Sequence, residues 1–158
     1  MRIAEICTRD VVHVTADTSL RDAAEIMRNR HVGAVVVVEQ PNGELVPVGI
    51  LTDRDIVLSV LAPGIDIDAL AVADVMTDNV ATCRESDGLF DAIRVMRHRG
   101  VRRLPVLNAQ AGLAGMVAAD DIYGALGTHL QELSRALTRE QVREMQTRPE
   151  TSHLSPAP

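Results

Sequence analysis

Residues 20–37, LRDAAEIMRNRHVGAVVV, and residues 89–106, LFDAIRVMRHRGVRRLPV, decide how this chain folds. Laid on each other at an offset of 69 positions, they share Leu20 and Leu89, Asp22 and Asp91, Ala23 and Ala92, and Met27 and Met96. The match continues through Arg28 and Arg97, Arg30 and Arg99, Val32 and Val101, and Val37 and Val106, with Thr8 over Thr77 and Val11 over Val80 upstream. Identity this regular at a constant spacing marks an internal duplication. Beyond residue 40 the second copy is about three residues shorter, as a surface turn allows. The register then resumes, with Gly49 over Gly115, Ile50 over Met116, Asp55 over Asp121 and Ile56 over Ile122.

Within the first copy, Val11 to Val14 reads as a short strand. Leu20, Ala23, Ala24, Ile26 and Met27 form the apolar stripe of a helix, preceded by the capping residues Asp17 and Thr18. The β-branched run from Ala34 to Val38, the turn at Pro41, Asn42 and Gly43, and a strand from Leu45 to Leu51 predict a buried hairpin. A helix over Asp53 to Leu61 completes the unit. The second copy repeats this order: strand Val80 to Cys83, helix Leu89 to Arg99 behind Asp87, strands Leu104 to Leu107 and Leu113 to Val117, and a helix from Ala119.

The fold class is therefore α+β, an α/β sandwich of tandem β-α-β-β-α repeats with a C-terminal helix. A three-stranded sheet with two helices buries too little surface alone, so the copies are expected to pack about a pseudo-twofold axis with a cleft between them. The expected divisions are 1–62 for the first repeat, 63–73 for a linker beginning at Pro63 and Gly64, and 74–127 for the second repeat. A helical extension follows over 128–146, then a disordered tail over 147–158 that is rich in Pro, Ser and Thr. The linker ends in a short helical entry at Val72 to Met76. Leu126, Leu130, Leu133 and Leu137 recur at helical spacing and imply either packing on the chain's own second copy or a contact between chains. Thr138 with Gln141 resembles a capping box that restarts a helix.

Composition narrows the function. The net charge of −6 and the near absence of aromatics, Phe90 and Tyr123 alone, disfavour nucleic acid, which asks for a basic face and stacking surfaces. The longest apolar stretch, Val32 to Val38, falls far short of a membrane span, and no apolar signal region opens the chain, so a cytoplasmic location is expected. Five scattered histidines and two distant cysteines, Cys7 and Cys83, match no metal-ligand spacing. No GxSxG, P-loop or Cys/His pairing suggests catalysis. Both cysteines read as buried or semi-buried thiols, a redox bridge between them being the alternative.

The chemistry concentrates in Gly49-Ile50-Leu51-Thr52-Asp53-Arg54-Asp55. Thr52 ends a strand and Asp55 lies three residues on, in the first turn of a helix. One reading is a capping box, with Thr52 and Asp55 satisfying free backbone N–H groups. The other is a ligand site, because such a turn accepts phosphate and a carboxylate beside it accepts hydrogen bonds from ribose hydroxyls. The two readings are compatible. Arg102 and Arg103 flank the second copy's central strand, where guanidinium groups either grip phosphate or face solvent.

This duplication, with the run Gly100-Val101-Arg102-Arg103-Leu104-Pro105-Val106, resembles the CBS-domain pair, or Bateman module, over roughly Glu5 to Leu126. The resemblance implies a regulatory adenine-nucleotide sensor that catalyses nothing and needs no cofactor. Asp55 would hold ribose and Thr52 phosphate, with Arg54 beside them. Val80, Ala81 and Thr82 together with Val101, Arg102 and Arg103 would complete the cleft. The ligand would be AMP, ADP or ATP, with NAD and S-adenosylmethionine open. The resemblance also implies a homodimer whose output passes to a protein partner or to its own assembly. The second copy departs from the pattern: Ala118 stands where Thr52 does, while Asp121 keeps the ribose position. That second site is expected to be weaker, differently selective or empty, and a structural dimerisation module with vestigial sites is the alternative function.

Overall fold

The structure, a computed structural model, describes residues 1–147. The first repeat comprises β1 (His13–Val14), α1 (Leu20–Arg30), β2 (Ala34–Glu39), β3 (Val46–Thr52) and α2 (Asp53–Ile56). The second comprises β4 (Thr77–Asp78), β5 (Cys83–Arg84), α3 (Leu89–Arg99), β6 (Arg103–Leu107), β7 (Leu113–Ala118) and α4 (Ala119–Thr147). The first repeat and the second as far as the first turn of α4 lie in one compact unit, Met1–Ile122, and a second unit begins at Tyr123 within α4. Apart from Thr147, the expected tail lies outside the described residues.

Each repeat closes a small core by the same means. In the first, Val35, Val37 and Leu51 are buried beneath Leu20, Ala23 and Met27, the apolar stripe of α1. In the second, Leu104, Val106 and Val117 on the sheet and Leu89, Ala92 and Met96 on α3 take these places. Each fully buried aliphatic contributes roughly 1.5–3 kcal/mol relative to exposure.

Several local expectations change. The cap of α1 is Ser19, whose hydroxyl accepts the Asp22 amide at 3.0 Å, while Asp17 bonds the Thr15 hydroxyl in the turn before it. After α2 the backbone widens into π-type turns over Val57–Leu61, where the Ala62 amide reaches the Val57 carbonyl at 2.9 Å. The restart expected at Thr138 does not occur. The Thr138 hydroxyl bonds back to the Ser134 carbonyl at 3.0 Å and α4 runs through it, since no Gly or Pro interrupts residues 128–147.

The larger difference is an exchange between the repeats. The first sheet has four strands, β1-β2-β3-β4, and its outer strand β4 comes from the start of the second repeat, pairing Thr77 with Ile50 and Asp78 with Gly49. The reciprocal contact pairs Thr8 with Met116 on β7, their amides and carbonyls exchanging two bonds of 2.9 Å. Upstream, Ile3 and Ala4 donate to the carbonyls of Asp87 and Glu85, while Val72 and Ala73 donate to those of Thr18 and Ala16. The segment leading into each repeat thus docks on the other, and the matching pairs are related by the pseudo-twofold axis.

Gly49 and Gly115 make this exchange possible. A Cβ on Gly115 would stand 2.9 Å from the Thr8 carbonyl oxygen and 3.0 Å from the Cys7 sulfur. A Cβ on Gly49 would stand 2.8 Å from the Met76 sulfur and 3.1 Å from the Thr77 carbonyl oxygen. A side chain at either position would push the incoming strand away.

Candidate functional site

The strand exchange places the start of each repeat beside the strand-to-helix turn of the other. Thr52 is extended, at φ −116° and ψ 158°, and ends β3 by capping α2. Its hydroxyl accepts the Asp55 amide at 3.2 Å, and its own amide donates to Asp55 Oδ2 at 2.9 Å. The Thr52 hydroxyl also donates to the same Oδ2 at 2.7 Å. The capping box is therefore present. Two of these bonds end on Asp55 Oδ2 and the third on the Thr52 hydroxyl, leaving Asp55 Oδ1 for a further donor.

Around this turn lies a cavity of about 730 Å³, within the range of small-molecule sites. Thr52, Arg54 and Asp55 line it from the first repeat. Val80, Ala81, Val101, Arg102 and Arg103 line it from the second. Thr82, the residue before β5, is not among the lining residues. Asp53, inside the Gly49 to Asp55 motif, also reaches this wall, as do Thr77, Asp78, Asn79 and Arg99, which no motif in the sequence marks. Arg99 donates to the Asn79 carbonyl at 2.7 Å, tying the end of α3 to the loop after β4.

Asp121 faces a second, smaller cavity of about 320 Å³, related to the first by the repeat. Thr8, Asp10, Val11 and Val12, with His31 to Ala34, line it where residues 77–81 and 100–103 line the first. The Ala118 amide donates to Asp121 Oδ2 at 2.8 Å, so half the capping box survives and the hydroxyl is lost. Arg102 lines the first cavity and pairs at 3.6 Å with Asp120, which lines the second. Both partners are about three-quarters exposed, so this pair is weak. A third opening, along Glu132 to Arg139, is walled by α4 alone.

Among the described residues no three His, Cys, Asp or Glu side chains group to hold a metal ion, and no helix is long and apolar enough to cross a membrane. Cys83 is buried, and burial, with smaller contributions from Asp87 and Cys7, pushes its thiol from 9.0 up to about 12.

The CBS domain family matches the chain twice, over residues 3–62 and 72–128. The chain belongs to this family and carries two CBS domains in tandem. It is 32% identical over 120 residues to an uncharacterised protein of Methanopyrus kandleri, covering 76% of this chain and 60% of that one. It is 35% identical over 120 residues to the CBS domain-containing protein YhcV of Bacillus subtilis, covering 76% of this chain and 81% of that one. Among solved structures, a CBS domain protein from Pyrobaculum aerophilum complexed with AMP superposes at a TM-score of 0.70 with 25% identity, over 81% of this chain and 99% of that one.

Proposed function

We propose that this chain is a regulatory module that binds an adenine nucleotide, AMP, ADP or ATP, in the larger cavity and itself catalyses nothing. The observation that carries the reading is that one cavity of about 730 Å³ is built by both repeats around the Thr52–Asp55 turn. The AMP complex of the Pyrobaculum relative supports the ligand class. Asp55 Oδ1 accepts a ribose hydroxyl. The Thr52 hydroxyl turns from Asp55 toward phosphate, and Arg102 and Arg103 complete the phosphate contacts. The aliphatic residues Val80, Ala81 and Val101 cover the base without aromatic stacking.

Because the cavity spans both repeats, a ligand that favours one arrangement of them shifts their packing, and with it self-association or a protein partner. Val57, Leu58, Leu61 and Ile65 are each about half exposed or more, and this patch is the face by which two chains form a homodimer.

The test is a thermal-shift series with AMP, ADP, ATP, GTP, NAD and S-adenosylmethionine on the native chain and Asp55→Ala. Ligand at 100 times its dissociation constant adds about 2.7 kcal/mol, a rise of several degrees. An adenine-selective rise that Asp55→Ala abolishes is the expected result. No rise with any ligand leaves Thr52 and Asp55 as a capping box and favours the structural dimerisation module, which the loss of the hydroxyl at Ala118 also suits.

A further inference from the structure

The two cavities share a backbone plan and differ in charge. The larger is lined by four arginines, Arg54, Arg99, Arg102 and Arg103, against three carboxylates, Asp53, Asp55 and Asp78, a formal +1. Among the described residues the smaller is lined by three carboxylates, Asp10, Asp120 and Asp121, against one arginine, Arg103, a formal −2 from Asp and Arg.

The inversion follows from a few substitutions between the copies. Where the second repeat carries Arg102 and Arg103, the first carries Gly33 and Ala34. Where the first carries Arg54 and Thr52, the second carries Asp120 and Ala118. The smaller cavity therefore lacks both arginines and the hydroxyl at the positions that would meet phosphate. The arginine it does have, Arg103, also lines the larger cavity, and among the described residues no other lines both. An anion in the larger cavity engages that guanidinium and leaves the smaller one facing its carboxylates with less compensation.

Resting on the nucleotide reading above, we propose that this charge asymmetry limits each chain to one phosphorylated ligand, with Arg102 and Arg103 selecting the cavity it enters. Affinity in the larger cavity then rises with phosphate number and falls with salt. Adenosine, which carries no charge, is selected far less.

The experiment is calorimetric titration of the full chain with ATP and, separately, adenosine. The native chain takes one ATP. Arg102→Gln with Arg103→Gln weakens ATP about 10- to 100-fold, the size of a lost charge-assisted hydrogen bond, while adenosine weakens much less. Asp10→Asn with Asp120→Asn, both at exposed side chains, admits a second, weaker ATP. Two equivalents of ATP on the native chain, or arginine variants that lose ATP and adenosine equally, overturn the proposal and leave nucleotide binding intact. Native protein that binds neither compound overturns both.

Discussion

Asp55 and Cys83 show two ways in which a side chain's environment decides its chemistry. Asp55 satisfies the end of α2 with one oxygen and keeps the other, so capping and ligand binding need not compete for the same lone pairs. The Thr52–Asp55 spacing is legible in the sequence because a helix start requires it locally; which cavity it faces is not, since that wall comes from residues far along the chain. Cys83 is a buried residue of β5, and burial raises its thiol's pKa. Its folded value, about 12, lies above the ordinary 9.0, so above pH 9 the unfolded chain loses the proton first. The stability associated with Cys83 is therefore complete below pH 9 and is lost as pH rises toward 12. A thiol reagent at pH 8 should leave Cys83 unmodified in the native chain and label it in denaturant, as peptide mass mapping would show. Rapid native labelling of Cys83 would contradict this burial.

At the scale of elements, the helix over Leu89 to Arg99 lies where the apolar spacing predicts it, and the hairpin β2–β3 begins at Ala34 as expected and differs by one residue at its other three strand ends. Both are local structures written in residues close together. The outer strand β4 was not legible: Thr77 and Asp78 carry no strand pattern, and they become a strand by pairing with Gly49 and Ile50 across the repeat boundary. The same contact explains why glycine opens the motif. Gly115→Ala would place a methyl group against the Thr8 carbonyl, a backbone atom, whereas Gly49→Ala meets first the flexible Met76 side chain. Urea denaturation should show both variants destabilised, by about 1–3 kcal/mol, with Gly115→Ala the more affected. Unchanged midpoints would mean that the incoming strands can move away at little cost.

For the molecule as a whole, the apolar patch of Val57, Leu58, Leu61 and Ile65 argues for the proposed homodimer. Leu61, 72% exposed, is the most exposed of the four, and a carboxylate there would be buried unpaired at an interface. Leu61→Glu should weaken self-association roughly 30-fold or more, the scale of a 2 kcal/mol interface residue, as sedimentation equilibrium would read. A native chain that sediments as a monomer, or a variant that associates as tightly, would place the interface elsewhere. The sequence by itself determined the duplication, the order β-α-β-β-α and the Thr52–Asp55 turn, because periodicity and capping are dictated by neighbours along the chain. Only the tertiary structure decided that each repeat's leading segment docks on the other, that Thr82 is not among the residues lining the cavity, and that Arg103 lines both cavities with opposite formal charge. Those features depend on which distant segments meet, and that follows from burying two incomplete cores against each other about a pseudo-twofold axis.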